Sequence, residues 1–501
     1  MTYSRSMLHS SFENLINTAK KTRPSTDIEL IRRAYAFAND AHRNQFRING
    51  EPYINHVVST AYILLDWQLP TTIVVAGLLH DAPEDTTKTL LDIEHDFGVE
   101  IARIVEGETK LDRLKYVGMT RYVENLRKLF LAVAKDVRVV FVKFADRLHN
   151  LMTIEVLPPE KKYRIARESL EIYAPIAGRL GMGEIKAQLE DLSFPHVYPD
   201  EFKWLMELIK GKYEAKEQEL RKEQKILESE LHDAHIPYER MYGRTKHIYS
   251  LYRKLLKYDR DFSKVYDLVA IRVIVNTIAE CYSVLGVIHS QWKPLKGRIK
   301  DYIATPKPNG YQSLHTTVFG KDGGIVEFQI RTKGMHEEAE YGIAAHWRYD
   351  ESGKKVPVHS RRLHWMQELA RIQKELEDRK TFVETLEELK IDLFQNRIFI
   401  FTPKGDVLDL PEHSTPVDLA YAIHSDIGNQ CASAKINGEM VPLDQKLTSG
   451  DIVEIIVDKK RKGPSADWLK FVKTRNARNK IKARAKRGVA EWFSSILPKK
   501  K

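Results

Sequence analysis

Hydrophobic periodicity changes partway along this chain, and the change limits what each part can fold into. From about residue 27 to residue 200, apolar residues recur at three- and four-residue spacing, as in DIELIRRAYAFANDAHRNQ and DVRVVFVKFADRLHNL. That period gathers them on one face of a helix. After Ile236, the runs VYDLVAIRVIV, TTVFG and IVEFQIRT are rich in β-branched residues and predict strands, with MHEEAEYGIAAHW as a helix beside them. Further on, RIFIFTPKGDVLDLP predicts a hairpin around Pro403-Lys404-Gly405, and VDLAYAIHSDIG predicts a helix. SAKINGEMVPL holds an Asn437-Gly438 turn, and DIVEIIV is a last strand. The expected organisation is a helical domain over 1–198, a helical connector or short coiled coil over 199–235, and an α/β domain over 236–355. A charged helical linker over 356–392, a small β-grasp-like domain over 393–458 and a basic helical tail over 459–501 complete it.

Charge is distributed unevenly. The net charge is +11, yet Lys459 to Lys501 holds 16 Lys or Arg against Asp467 and Glu491, which is +14 and leaves −3 for the rest. Such a tail suits contact with nucleic acid or another polyanion, or serves as a solubilising terminus. No apolar run approaches the roughly 18 residues of a membrane span, so no membrane partner is expected. The first residues, MTYSRSMLHSSFENL, lack the apolar core of a signal peptide. Cys281 and Cys431 are the only cysteines, which excludes a disulfide framework or a cysteine zinc cluster. A cytoplasmic location is expected.

Two constellations carry chemistry. In the helical part, His80-Asp81-Ala82-Pro83-Glu84-Asp85 follows the apolar run TIVVAGLL. His80 and Glu84 are four apart, as are Asp81 and Asp85, which places each pair on one helical face unless Pro83 bends or ends the helix. With His56 upstream and Asp146 downstream, two imidazoles and two carboxylates suit a borderline divalent ion such as Mn²⁺. The chemistry would be hydrolytic: the ion acidifies water, and Glu84 or Asp85 orients or deprotonates it. In the α/β part, KGRIKDYIATPKPNGYQSLHTTVFGKDGGIVEFQ sets Lys296, Arg298, Lys300 and Lys307 around a Pro-Asn-Gly turn carrying Tyr311, and a strand then delivers Glu327. Cations clamp phosphates, an aromatic ring stacks on a base, and a strand carboxylate can hold Mg²⁺.

AHRNQFRINGEPYINH, GLLHDAPEDT and VKFADRLHNLMT resemble the HD-type phosphohydrolase domain of the long RelA/SpoT-homologue enzymes that handle guanosine tetraphosphate. YGRTKHIYSLYRK, VYDLVAIRV, KGRIKDYIATPKPNGYQSLHTT, VEFQIRT and MHEEAEYGIAAHW resemble the synthetase domain of the same family. Residues 396–457 resemble a TGS domain. The resemblance implies a multidomain chain: an all-α HD-type hydrolase domain, an α/β nucleotidyltransferase-like synthetase domain and a small β-grasp TGS domain. It implies His56, His80, Asp81 and Asp146 as Mn²⁺ ligands, and Glu84 and Asp85 as the water-activating pair. Arg47, Asn150 and Thr153 then contact the nucleotide. In the synthetase it implies Asp267 and Glu327 on Mg²⁺, with Glu327 also taking the proton of the attacking 3′-hydroxyl. Arg244, Lys246 and Lys254 face the ATP phosphates, Tyr311 stacks on guanine with Asn309 and His315 nearby, and Lys300 and Lys307 lie toward the acceptor phosphates.

The implied function is bifunctional. Pyrophosphate passes from ATP to the 3′-hydroxyl of GDP or GTP, giving (p)ppGpp, and (p)ppGpp is hydrolysed back to GDP or GTP. The alternatives are a hydrolase with weak synthetase, or a ribosome- and tRNA-binding regulator with relic catalytic folds. His424 matches a position that touches the end of A-site tRNA, or else caps its own helix. The pattern departs from the family at Ile48, where a Lys usually stands, and at Asn44 and Val57, which replace Gly and Pro. The resemblance stops before the C-terminal ACT region, which predicts a short form or a fragment.

Overall fold

The computed structural model describes residues 11–23, 26–112, 132, 135–265, 268–307, 310–321, 323–345, 397–403, 407–448, 450–461 and 463–484. The chain forms two compact units, Met1–Ile372 and Gln373–Lys501. Among the described residues, no helix is long and apolar enough to cross a membrane.

The first unit begins with helices α1 (Phe12–Thr22), α2 (Ile28–Ala41), α3 (Ile54–Asp66), α4 (Thr71–Leu79), α5 (Ala82–Asp85), α6 (Leu90–Phe97), α7 (Val99–Asp112) and α8 (Arg138–Met152). They are followed by α9 (Pro159–Glu168), α10 (Ala174–Arg179), α11 (Gly183–Val197), α12 (Pro199–Ile209) and α13 (Lys212–Asp233). Helix α4 is buried along its length, so its apolar residues surround it instead of forming a stripe. It can approach α3 closely because Gly77 offers no Cβ: one built there would sit 2.4 Å from Leu64 Cδ1. That approach brings the end of α4 beside the middle of α3.

The α/β part is a five-stranded mixed sheet in the order β1-β2-β5-β4-β3. Its elements are β1 (Arg240–Thr245), α14 (Ile248–Lys257), β2 (Val269–Val275), α15 (Ile278–Gln291), β3 (Pro294–Asp301), β4 (Leu314–Phe319), β5 (Ile325–Thr332) and α16 (Lys333–Tyr341). Strand β2 runs parallel to β5 and antiparallel to β1. All seven residues of β2 are buried, as a central strand covered on both faces requires. The register sets Glu327 between Ala270 and Thr317, and His315 between Lys300 and Gln329.

The stretch read as a connector or short coiled coil is helical, but it does not stand free. Leu205, Ile209, Leu220, Leu227 and Leu231 from α12 and α13 belong to the same core as Val269, Val273 and Phe328 of the sheet. The apolar stripe seen in the sequence covers the sheet, and buried Glu223 of α13 accepts from Trp292 Nε1 at 2.8 Å.

Helix α11 meets the start of α14 through a charged clamp. His247 Nδ1 lies 2.9 Å from Asp191, and its Nε2 lies 3.5 Å from Glu184. Burial alone would lower the imidazole's pKa, but hydrogen bonds to Asp191 and Glu184 raise it to about 9. A raised histidine pKa stabilises the fold fully below the ordinary value near 6.5, and that contribution disappears as pH climbs through 9. The difference corresponds to on the order of 3 kcal/mol. The stability advantage of the unaltered chain over His247→Phe should therefore shrink between pH 7 and pH 10, as read from paired thermal melts; a constant gap contradicts the clamp.

The second unit pairs β6 (Arg397–Phe401) with β7 (Val407–Pro411). Helices α17 (Pro416–Ile423) and α18 (Ser425–Gln430) follow, then β8 (Cys431–Ile436), β9 (Glu439–Val441) and β10 (Val453–Val457) in the order β10-β8-β9. A parallel bridge, Phe401 to Ile452, joins the two sheets, as a β-grasp arrangement requires. The first part of the basic tail is packed: Trp468, Val472, Ala477 and Ile481 share a core with Val417, Ala420 and Tyr421 of α17. Buried Asp418 ties the two together, accepting from Thr415 N (2.9 Å), Lys473 N (2.9 Å) and Thr474 N (2.7 Å). Asp418→Ala leaves these donors unsatisfied and should destabilise this unit by about 3 kcal/mol or more, measured by urea unfolding. Residues 485–501 lie outside the described residues.

Candidate active sites

The first site forms where α3, the end of α4 and α8 converge. His56 comes from α3, His80 and Asp81 follow α4, and Asp146 comes from α8. One ligand atom each from His56, His80 and Asp146 lies within 4.8 Å of the others, and all three residues are buried. His56 Nε2 is 3.3 Å from Asp146 and 3.4 Å from Asp81, and His80 Nε2 is 3.2 Å from Asp81. The four residues selected from the sequence are brought together.

Of the outcomes left open at Pro83, the one that forms is an ended helix. Helix α4 ends at Leu79, and Pro83 sits in the first turn of the separate short α5. Proline lacks an N–H and is tolerated there but not in a helix interior. Glu84 and Asp85 remain beside the cluster because their backbone N–H groups donate to Asp81 O at 3.2 and 3.0 Å. The Tyr53 hydroxyl lies 2.9 Å from Asp81 Oδ2 and 3.2 Å from Asp85 Oδ2, bridging the two carboxylates.

The donor set fits a divalent cation. His80 Nδ1 donates to the Gly77 carbonyl at 2.9 Å, so Nε2 is the nitrogen turned toward Asp81 and the one that could serve a ligand once its own proton is displaced. Burial alone would lower the His80 pKa, but Asp81, Glu108 and Asp146 outweigh it and lift it to about 9. Burial would likewise raise Asp81, yet His80 and His56 hold it well below the usual carboxylate range. Asp146 is also held far down, against its burial, by Lys143, His56 and His80. Asp85 moves the other way, raised by partial burial and then by the charge of Asp81. Concentrated carboxylate charge with imidazole nitrogens is what a borderline ion takes.

Arg47, Asn150 and Thr153 also meet. Arg47 Nη2 donates to Asn150 Oδ1 at 2.7 Å and Nη1 to Thr153 Oγ1 at 3.1 Å. Sequence reasoning did not select His149, which lies 2.8 Å from His56 and 3.3 Å from Arg47. It also passed over Lys143, buried 2.9 Å from Glu108 and 3.3 Å from Asp146. Both stand three residues from Asp146 on α8, so helical spacing around a chosen ligand was the signal available.

The second site lies on the sheet. Glu327 Oε1 is 3.1 Å from His315 Nδ1, and His315 Nε2 is 2.8 Å from the Tyr311 hydroxyl. Burial outweighs the neighbouring Glu327 carboxylate and lowers the His315 pKa, which favours the neutral ring. Gln329 donates to Glu327 at 3.0 Å and accepts from buried Arg272 at 3.2 Å, a pair the sequence reading missed. Lys307 lies over the rings of Tyr302 and Tyr311 at 4.6 and 5.1 Å. Its burial, then Lys300 and Lys186, lower its pKa to about 8. Arg244, Lys246 and Ser250 line one cavity beside Ala270 and Gln329. Arg244 and Tyr311 line a second with Glu184, Arg331 and Glu340. Lys254 projects from α14 over the Tyr258 ring at 6.0 Å and lines neither cavity. Asp267 and Asn309 lie outside the described residues. In the second unit, His424 Nδ1 caps α18 by accepting from Asp426 N at 3.2 Å, with 65% of its side chain exposed.

Residues 34–183 match the HD domain family, residues 243–354 the region found in RelA / SpoT proteins, and residues 398–457 the TGS domain. The chain is 44% identical over 469 residues to a GTP pyrophosphokinase of Myxococcus xanthus, covering 93% of this chain and 61% of that one. It is 45% identical over 487 residues to a GTP pyrophosphokinase of Streptomyces coelicolor, covering 94% and 56%. It is 44% identical over 473 residues to the bifunctional (p)ppGpp synthase/hydrolase SpoT of Escherichia coli K12, covering 94% and 67%. The chain thus spans about three fifths of the length of the curated relatives it matches.

Proposed function

The chain belongs to the RelA/SpoT family, and on that footing we propose that it both makes and degrades (p)ppGpp. The observation that carries this reading is the presence of two separate donor sets, His56/His80/Asp146 among helices and Tyr311/His315/Glu327 on a sheet.

In the hydrolase, His56, His80, Asp81 and Asp146 hold Mn²⁺. When bound, the ion supplies Lewis acidity that makes water nucleophilic near neutral pH. Arg47, Asn150 and Thr153 hold the nucleotide. Glu84 and Asp85 orient water and take its proton. The water oxygen bonds to the phosphorus attached to the 3′-oxygen, that bond to the 3′-oxygen breaks, pyrophosphate is released, and the 3′-oxygen takes up a proton to restore the 3′-hydroxyl of GDP or GTP.

In the synthetase, Asp267 and Glu327 hold Mg²⁺, which neutralises phosphate charge. Arg244, Lys246 and Lys254 face the ATP phosphates, and Lys300 and Lys307 face those of the acceptor. Tyr311 stacks on guanine, with Asn309 and His315 beside it. The 3′-oxygen attacks the β-phosphorus of ATP, Glu327 takes the proton, and AMP leaves. Diphosphate transfer needs alignment and charge neutralisation more than covalent help.

Two incubations test the reading, with nucleotides resolved by chromatography. ATP, GDP and Mg²⁺ should yield AMP and ppGpp, and ppGpp with Mn²⁺ should yield GDP and pyrophosphate. Absence of either product removes that half of the proposal. The proposal extends to ribosome and A-site tRNA contact through His424 and the basic segment after β10. A gel shift with deacylated tRNA that weakens steeply with salt supports this contact; no shift at low salt removes it.

A further inference from the structure

His56 and His80 reach the same orientation by different means. His80 is fixed by a backbone carbonyl, that of Gly77. His56 is oriented by a side chain. A guanidinium has donors and no acceptor. Arg47 Nη1 lies 3.3 Å from His149 Nδ1, so that nitrogen accepts. The same nitrogen lies 2.8 Å from His56 Nδ1, so His56 must donate to it. His56 Nδ1 therefore carries a proton, and its Nε2 is the nitrogen that faces Asp81 and Asp146. His56 and His149 are 2% and 3% exposed, so bulk water does not take over the acceptor's role. Arg47 is itself pinned by Asn150 and Thr153.

We propose that His149 is a positioning residue that links the nucleotide-binding Arg47 to the ion-binding orientation of His56. This inference rests on the hydrolase reading above. With His149 accepting from Nδ1, the ring is held with Nε2 as the nitrogen presented to an ion. Without it, His56 Nδ1 loses its acceptor, and the ring is free to turn or to carry its proton on Nε2, where it blocks ligation.

The test is binding of Mn²⁺ alone to the full chain, followed by the electron paramagnetic resonance signal of the free ion. His149→Ala should weaken binding by about 10–100-fold, the range for loss of an outer partner of a ligand histidine. His149→Asn, whose Oδ1 can accept near the place of Nδ1, should bind within a few-fold of the unaltered chain. Arg47→Met should weaken binding in the unaltered background and add nothing in the His149→Ala background. Metal-free melting temperatures serve as the folding control, and if His149→Ala is unstable the comparison is made on His149→Asn and Arg47→Met. Unchanged affinity in His149→Ala overturns the inference, as does an equal loss in His149→Asn. So does an Arg47→Met effect of the same size in both backgrounds. If the unaltered chain binds no Mn²⁺, the hydrolase reading itself fails and takes the inference with it.

Discussion

Asp81→Ala should lower ppGpp hydrolysis by more than about 100-fold, the upper end of what loss of an outer-sphere partner costs, while ATP-dependent synthesis persists. Asp81 Oδ2 stands 3.4 Å from His56 and 3.2 Å from His80, at the centre of the donor cluster. Its removal takes away a proposed ion ligand and the nearer of the two acceptors of the Tyr53 hydroxyl. It also takes away the largest influence holding up the His80 pKa. The proposed synthetase site rests on a core built from the sheet and helices α11 to α16, with no described residue from α3 to α8. Initial rates of both reactions on one preparation decide the matter. Equal loss of both activities would show that the substitution unfolds the chain or that the two sites are not separate.

Glu327→Gln should produce the mirror result, a loss of synthesis of roughly 10²- to 10⁴-fold, the usual worth of a positioned general base, with hydrolysis retained. Gln is nearly isosteric and can keep an interaction with Gln329, which donates to Glu327 at 3.0 Å. The substitution therefore removes charge and basicity while disturbing the sheet little. If synthesis survives unchanged, Glu327 is neither the base nor an ion ligand, and the geometry linking it to His315 and Tyr311 serves packing alone.

Much of this was legible in the residue pattern because the signals were periodic or chemically distinctive. Three- and four-residue spacing marked the helices, and β-branched runs marked β2, β4 and β5. His56 and Asp146 are far in sequence from the adjacent His80 and Asp81; donor chemistry and then the resemblance grouped the four, and the packing of α3, α4 and α8 places them side by side. What escaped was set by tertiary contact. Helices α12 and α13 looked like a free connector because their charged faces dominate the composition, while the leucines that cover the sheet form a narrow stripe. His149 and Gln329 touch other side chains, and only their spacing from Asp146 on a helix and from Glu327 on a strand sets them apart in the sequence. The break between α4 and α5 was foreseeable from Pro83, but its outcome, two carboxylates held beside Asp81 by backbone hydrogen bonds, needed the fold.

The most direct measurement follows phosphorus by NMR in one sample of the unaltered chain with ATP, a small amount of GDP, Mg²⁺ and Mn²⁺. Synthesis followed by hydrolysis sums to ATP plus water giving AMP plus pyrophosphate, with GDP regenerated. The account predicts that AMP and pyrophosphate rise together in amounts exceeding the GDP supplied, with ppGpp as a transient. AMP that stops at the GDP supplied while ppGpp accumulates, or no GDP-dependent AMP at all, would contradict it.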